Sequence, residues 1–201
     1  VTGSVQLAGL RYAEATATTV SIGAGETLGV DGAIIVAPSV GANNQLITGG
    51  SLTGSAGGGT LGVLQNSDGN FTVASNIVDN GGATGFTKGG AGQVTLSGAN
   101  TYTGVTTLSG GTLTVTDIGN GGVASNIGAS SAASSNLVLE SGTLQYNGAT
   151  ATSDRGFTLV NGGAAAPTIH VTGPSNLTFT GLVTSPDDAG LTKAGAGTLT
   201  L

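Results

Sequence analysis

Short runs in which apolar residues fall two apart dominate this chain. Val5-Gln6-Leu7, Val94-Thr95-Leu96, Thr112-Leu113-Thr114-Val115, Leu137-Val138-Leu139, Thr143-Leu144-Gln145-Tyr146, Ile169-His170-Val171 and Leu177-Thr178-Phe179 all show it, and Gly, Asn, Ser or Asp follows nearly every one. Period-two alternation closed by turn residues predicts short β-strands. No window holds the i, i+3, i+4, i+7 spacing of an amphipathic helix; the nearest, Tyr12 to Ala17, is too short and runs into β-branched residues. The strands are shorter than those of a sandwich or barrel, and glycine sits at nearly every corner. These features predict an all-β fold, a parallel β-helix, whose tight corners take Gly and Asn. With roughly 20–25 residues per coil and a rise of about 4.8 Å, the chain makes about nine coils and a rod on the order of 40 Å long. The residues expected to point into the column are Val94, Leu96, Leu108, Leu113, Val115, Leu137, Leu139, Leu144, Leu177 and Leu199.

One segment recurs. GFTKGGAGQVTL, from Gly85 to Leu96, returns as GLTKAGAGTLTL, from Gly190 to Leu201, with eight of twelve positions identical at an offset of 105 residues. Upstream, Asn70-Phe71-Thr72-Val73 answers Asn176-Leu177-Thr178-Phe179. A fixed period marks an architecture in which each unit buries its apolar face only by stacking on the next. Two units of one continuous solenoid are therefore expected, residues 1–115 and 116–201. Asp117 to Ser135, the least apolar stretch, reads as a long corner loop, because Leu137-Val138-Leu139 resumes the strand pattern directly.

The run KGGAGQVTLSGANTYTGVTTLSGGTLTV resembles the autotransporter-associated β-strand repeat, also called the passenger-associated transport repeat. The matching positions are Lys88, Gly90, Gly92, Leu96, Gly98, Asn100, Tyr102, Gly104, Gly111 and Leu113, with Lys193, Gly195 and Gly197 in the shorter second copy. The resemblance implies a right-handed parallel β-helix in a very large bacterial surface or secreted protein. It also implies a structural role: rigid stalk, adhesin, or component of an extracellular filament or matrix. Its partners are then neighbouring repeats, or further copies of the chain, stacked end to end. The sequence shows no C-terminal β-barrel translocator, and it reads as a mature piece or fragment of a longer chain.

Composition narrows the function further. Glycine takes 39 of the 201 positions, charged residues only 7%, yet 38% are hydrophobic, so the chain is folded rather than disordered. Four Phe, three Tyr and no Trp or Met suit a narrow column better than a wide core. Net charge is −6 with four basic residues, which leaves no basic patch for nucleic acid or an anionic membrane surface. Cysteine is absent, excluding disulfides and thiolate metal sites. The longest apolar run, about Ala33 to Ala37, is far below membrane-spanning length, so no membrane insertion by this segment is expected.

Candidate chemistry is sparse. Asn100-Thr101-Tyr102-Thr103-Gly104 is either an exposed adhesive contact through Tyr102 or, the favoured reading, a corner tied by Asn100 and Tyr102. Lys88 and Lys193 stand before glycines, but a phosphate-binding loop places its Lys after them and opens a helix, so no nucleotide cofactor is expected. Asp187-Asp188, Asp154-Arg155 and His170 form the only grouping that resembles the convergent carboxylates of a polysaccharide-acting β-helix enzyme. Asp187-Asp188 follows Pro186 and has turn chemistry, the first unit carries Asn80-Gly81-Gly82 at the corresponding place, and His170 alternates outward between Ile169 and Val171. No catalytic residue is assigned. The repeat pattern of calcium-binding β-rolls is absent, so no metal site is assigned. Threonine pairs two apart invite an ice-binding reading, but their intervals are irregular. Asn70-Phe71-Thr72 and Asn176-Leu177-Thr178 match the glycosylation acceptor pattern and are read as corner Asn followed by strand.

Overall fold

The computed structural model describes residues 1–161 and 165–201. Every strand pairing in it is parallel, and the only helical elements among the described residues are two single 3₁₀ turns, Pro38–Val40 and Ser134–Asn136. The chain winds as a β-solenoid. One sheet takes nine successive rungs: Val5–Leu7, Thr18–Val30, Gln45–Thr53, Asn70–Val73, Gln93–Leu96, Thr112–Val115, Thr143–Tyr146, Thr168–Val171 and Thr192–Ala194. A second sheet stacks eight strands from Leu10–Tyr12 to Val183–Thr184, and a third stacks Ala151–Ser153, Asn176–Phe179 and Thr198–Thr200. Nine rungs make eight steps, about 38 Å of rise, in line with the expected coil count and length.

Inside, equivalent positions stack in columns. On the first sheet Phe71, Val94, Leu113, Leu144 and Ile169 are successive partners, all fully buried. Val115, Tyr146 and Val171 form the parallel column two residues on. Alternation sets this pattern: Thr112 and Thr114 flank Leu113 on the opposite side of the strand, where Thr112 is partly exposed and Thr114, though buried, accepts at Oγ1 from Gln93 Nε2 at 2.9 Å. Of the ten residues expected to face inward, nine are buried and Leu199, on the last rung, is half-buried. Burying each such aliphatic side chain contributes about 1.5–3 kcal/mol. Aromatic rings fill the wider places, Phe157 against Phe179 with centroids 5.2 Å apart and edge to face.

The coils are unequal. The register steps 19 residues from Val94 to Leu113, 31 from Leu113 to Leu144 and 25 from Leu144 to Ile169. The columns stay aligned because the surplus leaves at the corners. The two copies of the recurrent segment also fall on different faces. Thr84–Gly89 belongs to the second sheet and its counterpart Thr192–Ala194 to the first; Gln93–Leu96 belongs to the first sheet and its counterpart Thr198–Thr200 to the third. Between the two copies the chain has therefore advanced four full turns and one face.

Candidate functional site

Lys88 occupies an inward position of the second sheet, between Val63 and Leu108, in an otherwise aliphatic column. It is completely buried. Its Nζ curls to the corner and donates 2.9 Å hydrogen bonds to three backbone carbonyls, those of Gly89, Gly90 and Gly110. Burial draws its pKa down to about 8, since the charged form has given up its water; the three carbonyls replace part of that hydration. Gly90 and Gly111 complete the corner at positive φ. A Cβ on Gly111 would also come within 2.5 Å of both the Gly90 carbonyl oxygen and Lys88 Nζ, so no other residue fits. Gly92 lies over the Ser67 carbonyl, with 2.5 Å between that oxygen and a Cβ placed there. Lys193, its sequence counterpart, is exposed on the last rung of the first sheet and holds only the carbonyls of Ala194 and Gly195, with Gly195 again at positive φ and Gly197 buried behind it.

The block from Asn100 to Gly104 builds the next corner. Asn100 is fully buried; its Oδ1 accepts from the Ile77 N–H at 2.8 Å, and its Nδ2 donates to the Asn126 carbonyl one coil on. Asn126 repeats the device, accepting from the N–H groups of Thr116 and Asp117 and donating to the Gly98 carbonyl. Tyr102 is fully buried, which places it inside the rod rather than at an adhesive surface; its hydroxyl lies 2.7 Å from Thr106 Oγ1. Burial raises the Tyr102 phenol well above its usual range, against the Thr106 hydrogen bond and the Arg155 charge. Gly104 passes so close to Thr84 that a Cβ would meet its carbonyl oxygen at 2.5 Å. On the outer rim of the corner, Asp79 accepts from the N–H groups of Thr84 and Thr103 and from the Thr103 hydroxyl.

On this corner sits the loop expected between Asp117 and Ser135. It folds back, with an isolated antiparallel bridge between Asn100 and Ser125. Gly128, at positive φ, lies flat on the Tyr102 ring, and the Ala129 N–H donates to the Tyr102 carbonyl at 2.8 Å. Arg155 closes it. Only 1% of this side chain is exposed, and its guanidinium donates to the carbonyls of Ile118, Gly119, Ser130, Val123 and Gly128 and to Ser130 Oγ. Five carbonyls of one loop thus solvate a buried cation that has no carboxylate in contact among the described residues. Burial lowers the Arg155 pKa, while Tyr102, Asp154 and Asp117 hold it up.

The grouping that resembled an enzyme does not assemble. Arg155 is spent on the loop, and Asp154 accepts from the Gly121 N–H. His170 is on the outward side of its strand, between Gln145 and Ala194. Asp187 and Asp188 form an exposed turn, Asp188 with φ of 51°, beside a shallow cleft of about 160 Å³ that Glu140 and Pro167 also line. The two acceptor-pattern asparagines begin strands instead of forming corners; Asn70 donates from Nδ2 to Thr72 Oγ1 at 2.9 Å. Sequence reading missed Arg155 as a clamp. All but one of its partners are backbone carbonyls, which carry no residue signature; the one available signal was the rarity of an Arg in a chain with four basic residues.

The passenger-associated-transport-repeat family matches residues 86–115 and 191–201. The chain is 66% identical over 197 residues, 98% of its length, to an adhesin autotransporter, BmaC, of Brucella suis biovar 1 (strain 1330). It spans only 6% of that relative's length. No solved structure matches it.

Proposed function

This chain belongs to the passenger-associated-transport-repeat proteins, and from that premise we propose that it is a structural, non-enzymatic solenoid segment of a bacterial cell-surface adhesin. It acts outside the cell as a stiff spacer that also carries adhesive contacts. The observation that supports this most directly is how its unusual residues are employed. Lys88, Asn100, Asn126 and Arg155 are all buried and each donates to a backbone carbonyl of an adjoining coil, while the buried Tyr102 hydroxyl is spent on Thr106 Oγ1. Continuous ladders and dry columns resist bending and cleavage, as repeat rods do. Its partners are neighbouring coils at both ends, from flanking repeats or further copies.

Replacement within a full-length adhesin tests the reading. Deleting the segment is expected to lower bacterial adhesion to cultured cells, and restoring it to recover adhesion. Turnover of an acidic polysaccharide by the chain, abolished by Asp187→Asn with Asp188→Asn, would overturn the non-enzymatic assignment.

A further inference from the structure

Three of the large apolar side chains that stay exposed belong to the outer face of the second sheet: Leu64 at 42%, Val105 at 38% and Leu182 at 69%. Leu64 is a strand residue there, and Val105 and Leu182 join the same ladder through their carbonyls, which accept from the Phe86 and Phe157 N–H groups. Ile35 and Val138 lie among them, partly exposed. The face also carries one outward charge of each sign. Arg11 stands on its first strand, Leu10–Tyr12, and Glu140 directly follows its sixth, Leu137–Leu139; neither side chain is bonded to another group of the described residues. These two charges share one rank. Arg11 is followed through successive registers by Ile35, Leu64 and Gly89. Lys88 pairs with Leu108 and Leu108 with Leu139, so the residues after them, Ser109 and Glu140, continue the rank from Gly89. The rank thus runs over six rungs, with the cation on the first, the carboxylate on the sixth and the midpoint between Leu64 and Gly89. Leu64 leans over that midpoint, its Cδ2 only 2.8 Å from where a Cβ on Gly89 would stand.

We infer that this face binds the same face of a second copy of the chain, with the two rods antiparallel about a two-fold axis that lies along the strands and passes between Leu64 and Gly89. A half turn about that axis exchanges the first rung with the sixth, the second with the fifth and the third with the fourth. Arg11 then meets the second copy's Glu140, the reciprocal contact forms on the other side, and the two Leu64 side chains close on each other at the axis. A two-fold interface demands a self-complementary patch of this kind. Rods paired in parallel would set Arg11 on Arg11 and Glu140 on Glu140, so charge selects the antiparallel pair. Of the ten acidic residues Glu140 alone adjoins a strand of this sheet, so two chains of net charge −6 repel each other least here. Val105, beside the fifth strand, falls inside the six paired rungs. Leu182 is the most exposed of the three, but it adjoins the eighth strand, Val183–Thr184, two rungs past Glu140 and outside the pair. Six rungs cover about 24 Å of rod, an area that puts the contact in the weak, reversible class of interface.

Sedimentation equilibrium of the chain between about 1 μM and 1 mM tests the pairing. The parent is expected to approach twice the monomer mass at the upper end of that range. Arg11→Glu alone, or Glu140→Arg alone, opposes like charges at both contacts and should weaken association about tenfold with an unchanged melting temperature. An equimolar mixture of these two variants recreates both opposite-sign contacts and should associate as the parent does, and so should the double variant. Leu64→Asp sets two carboxylates together at the axis and should abolish association, whereas Leu182→Asp should leave it intact. A parent that stays monomeric throughout would overturn the inference. So would a dimer indifferent to the single charge reversals or to Leu64→Asp, a mixture that fails to associate, or association lost in Leu182→Asp.

Discussion

Lys88 and Lys193 hold the same place in the recurrent segment, yet one is sealed in a column with three carbonyls and the other is exposed with two. Substitution by methionine separates position from environment. Lys88→Met leaves the carbonyls of Gly89, Gly90 and Gly110 without their donor in a dry corner, and is expected to lower stability by about 2–4 kcal/mol in denaturant melts. Lys193→Met should stay within about 0.5 kcal/mol of the parent. A similar contrast of charge is built into Asp79. Burial pushes its carboxyl up, but hydrogen bonds from Thr84 and Thr103 outweigh it and hold the pKa below the ordinary 3.8. A carboxylate depressed in the folded state stabilises fully above its unfolded pKa and loses that contribution as pH falls through the folded value. The melting-temperature advantage of the parent over Asp79→Asn should therefore be constant near pH 6 and shrink as pH is lowered from about 4.

At the scale of the element, most strands are alternating triplets or quartets, and their stability comes from the rungs above and below them. Leu113 lies between Val94 and Leu144, all three fully buried. Leu113→Asp places an unpaired carboxylate in that column and is expected to cost several kcal/mol, melting the rungs on both sides. Circular dichroism melts check it; parent-like melting would show the side chain can turn outward. The same alternation made Gln93–Leu96, Thr112–Val115 and Thr143–Tyr146 readable from sequence, since a period of two needs no tertiary information. Thr18–Val30 was not readable, because Gly23-Ala24-Gly25 interrupts its alternation; the register against Gln45–Thr53 shifts between Ile22 and Thr27 while the strand continues. Asn100 and Tyr102 were legible as corner residues because the signature keeps them together. The Arg155 clamp was not, since it joins positions 25 to 37 residues apart through groups every residue carries.

Across the whole molecule, charge and cohesion are arranged by depth. Of four basic residues, Lys88 and Arg155 are buried, so two outward cations face ten acidic groups, none of them buried. The outer surface is therefore more acidic than the formal net charge of −6 suggests, which, outside the face of the second sheet, keeps such rods apart in solution and away from polyanions. Because each rung touches only the next, opening should be local to a few coils. In hydrogen exchange the amides of Gln93–Leu96 and Thr112–Val115, each strand paired on both sides, are expected to be slower than that of Ala56 in the exposed turn between Gln45–Thr53 and Gly59–Gln65.

The displacement of the second copy by one face sets a phase. A period of 105 residues that amounts to four turns and a third does not return a feature to the same side of the rod. Were that period to recur along a longer polypeptide, equivalent corners would climb the shaft as a spiral staircase. Three periods, or thirteen turns, would bring the first orientation back after about 62 Å. A loop borne once per period would then look out in three directions in succession, and the shaft could meet a surface whichever side it leaned towards.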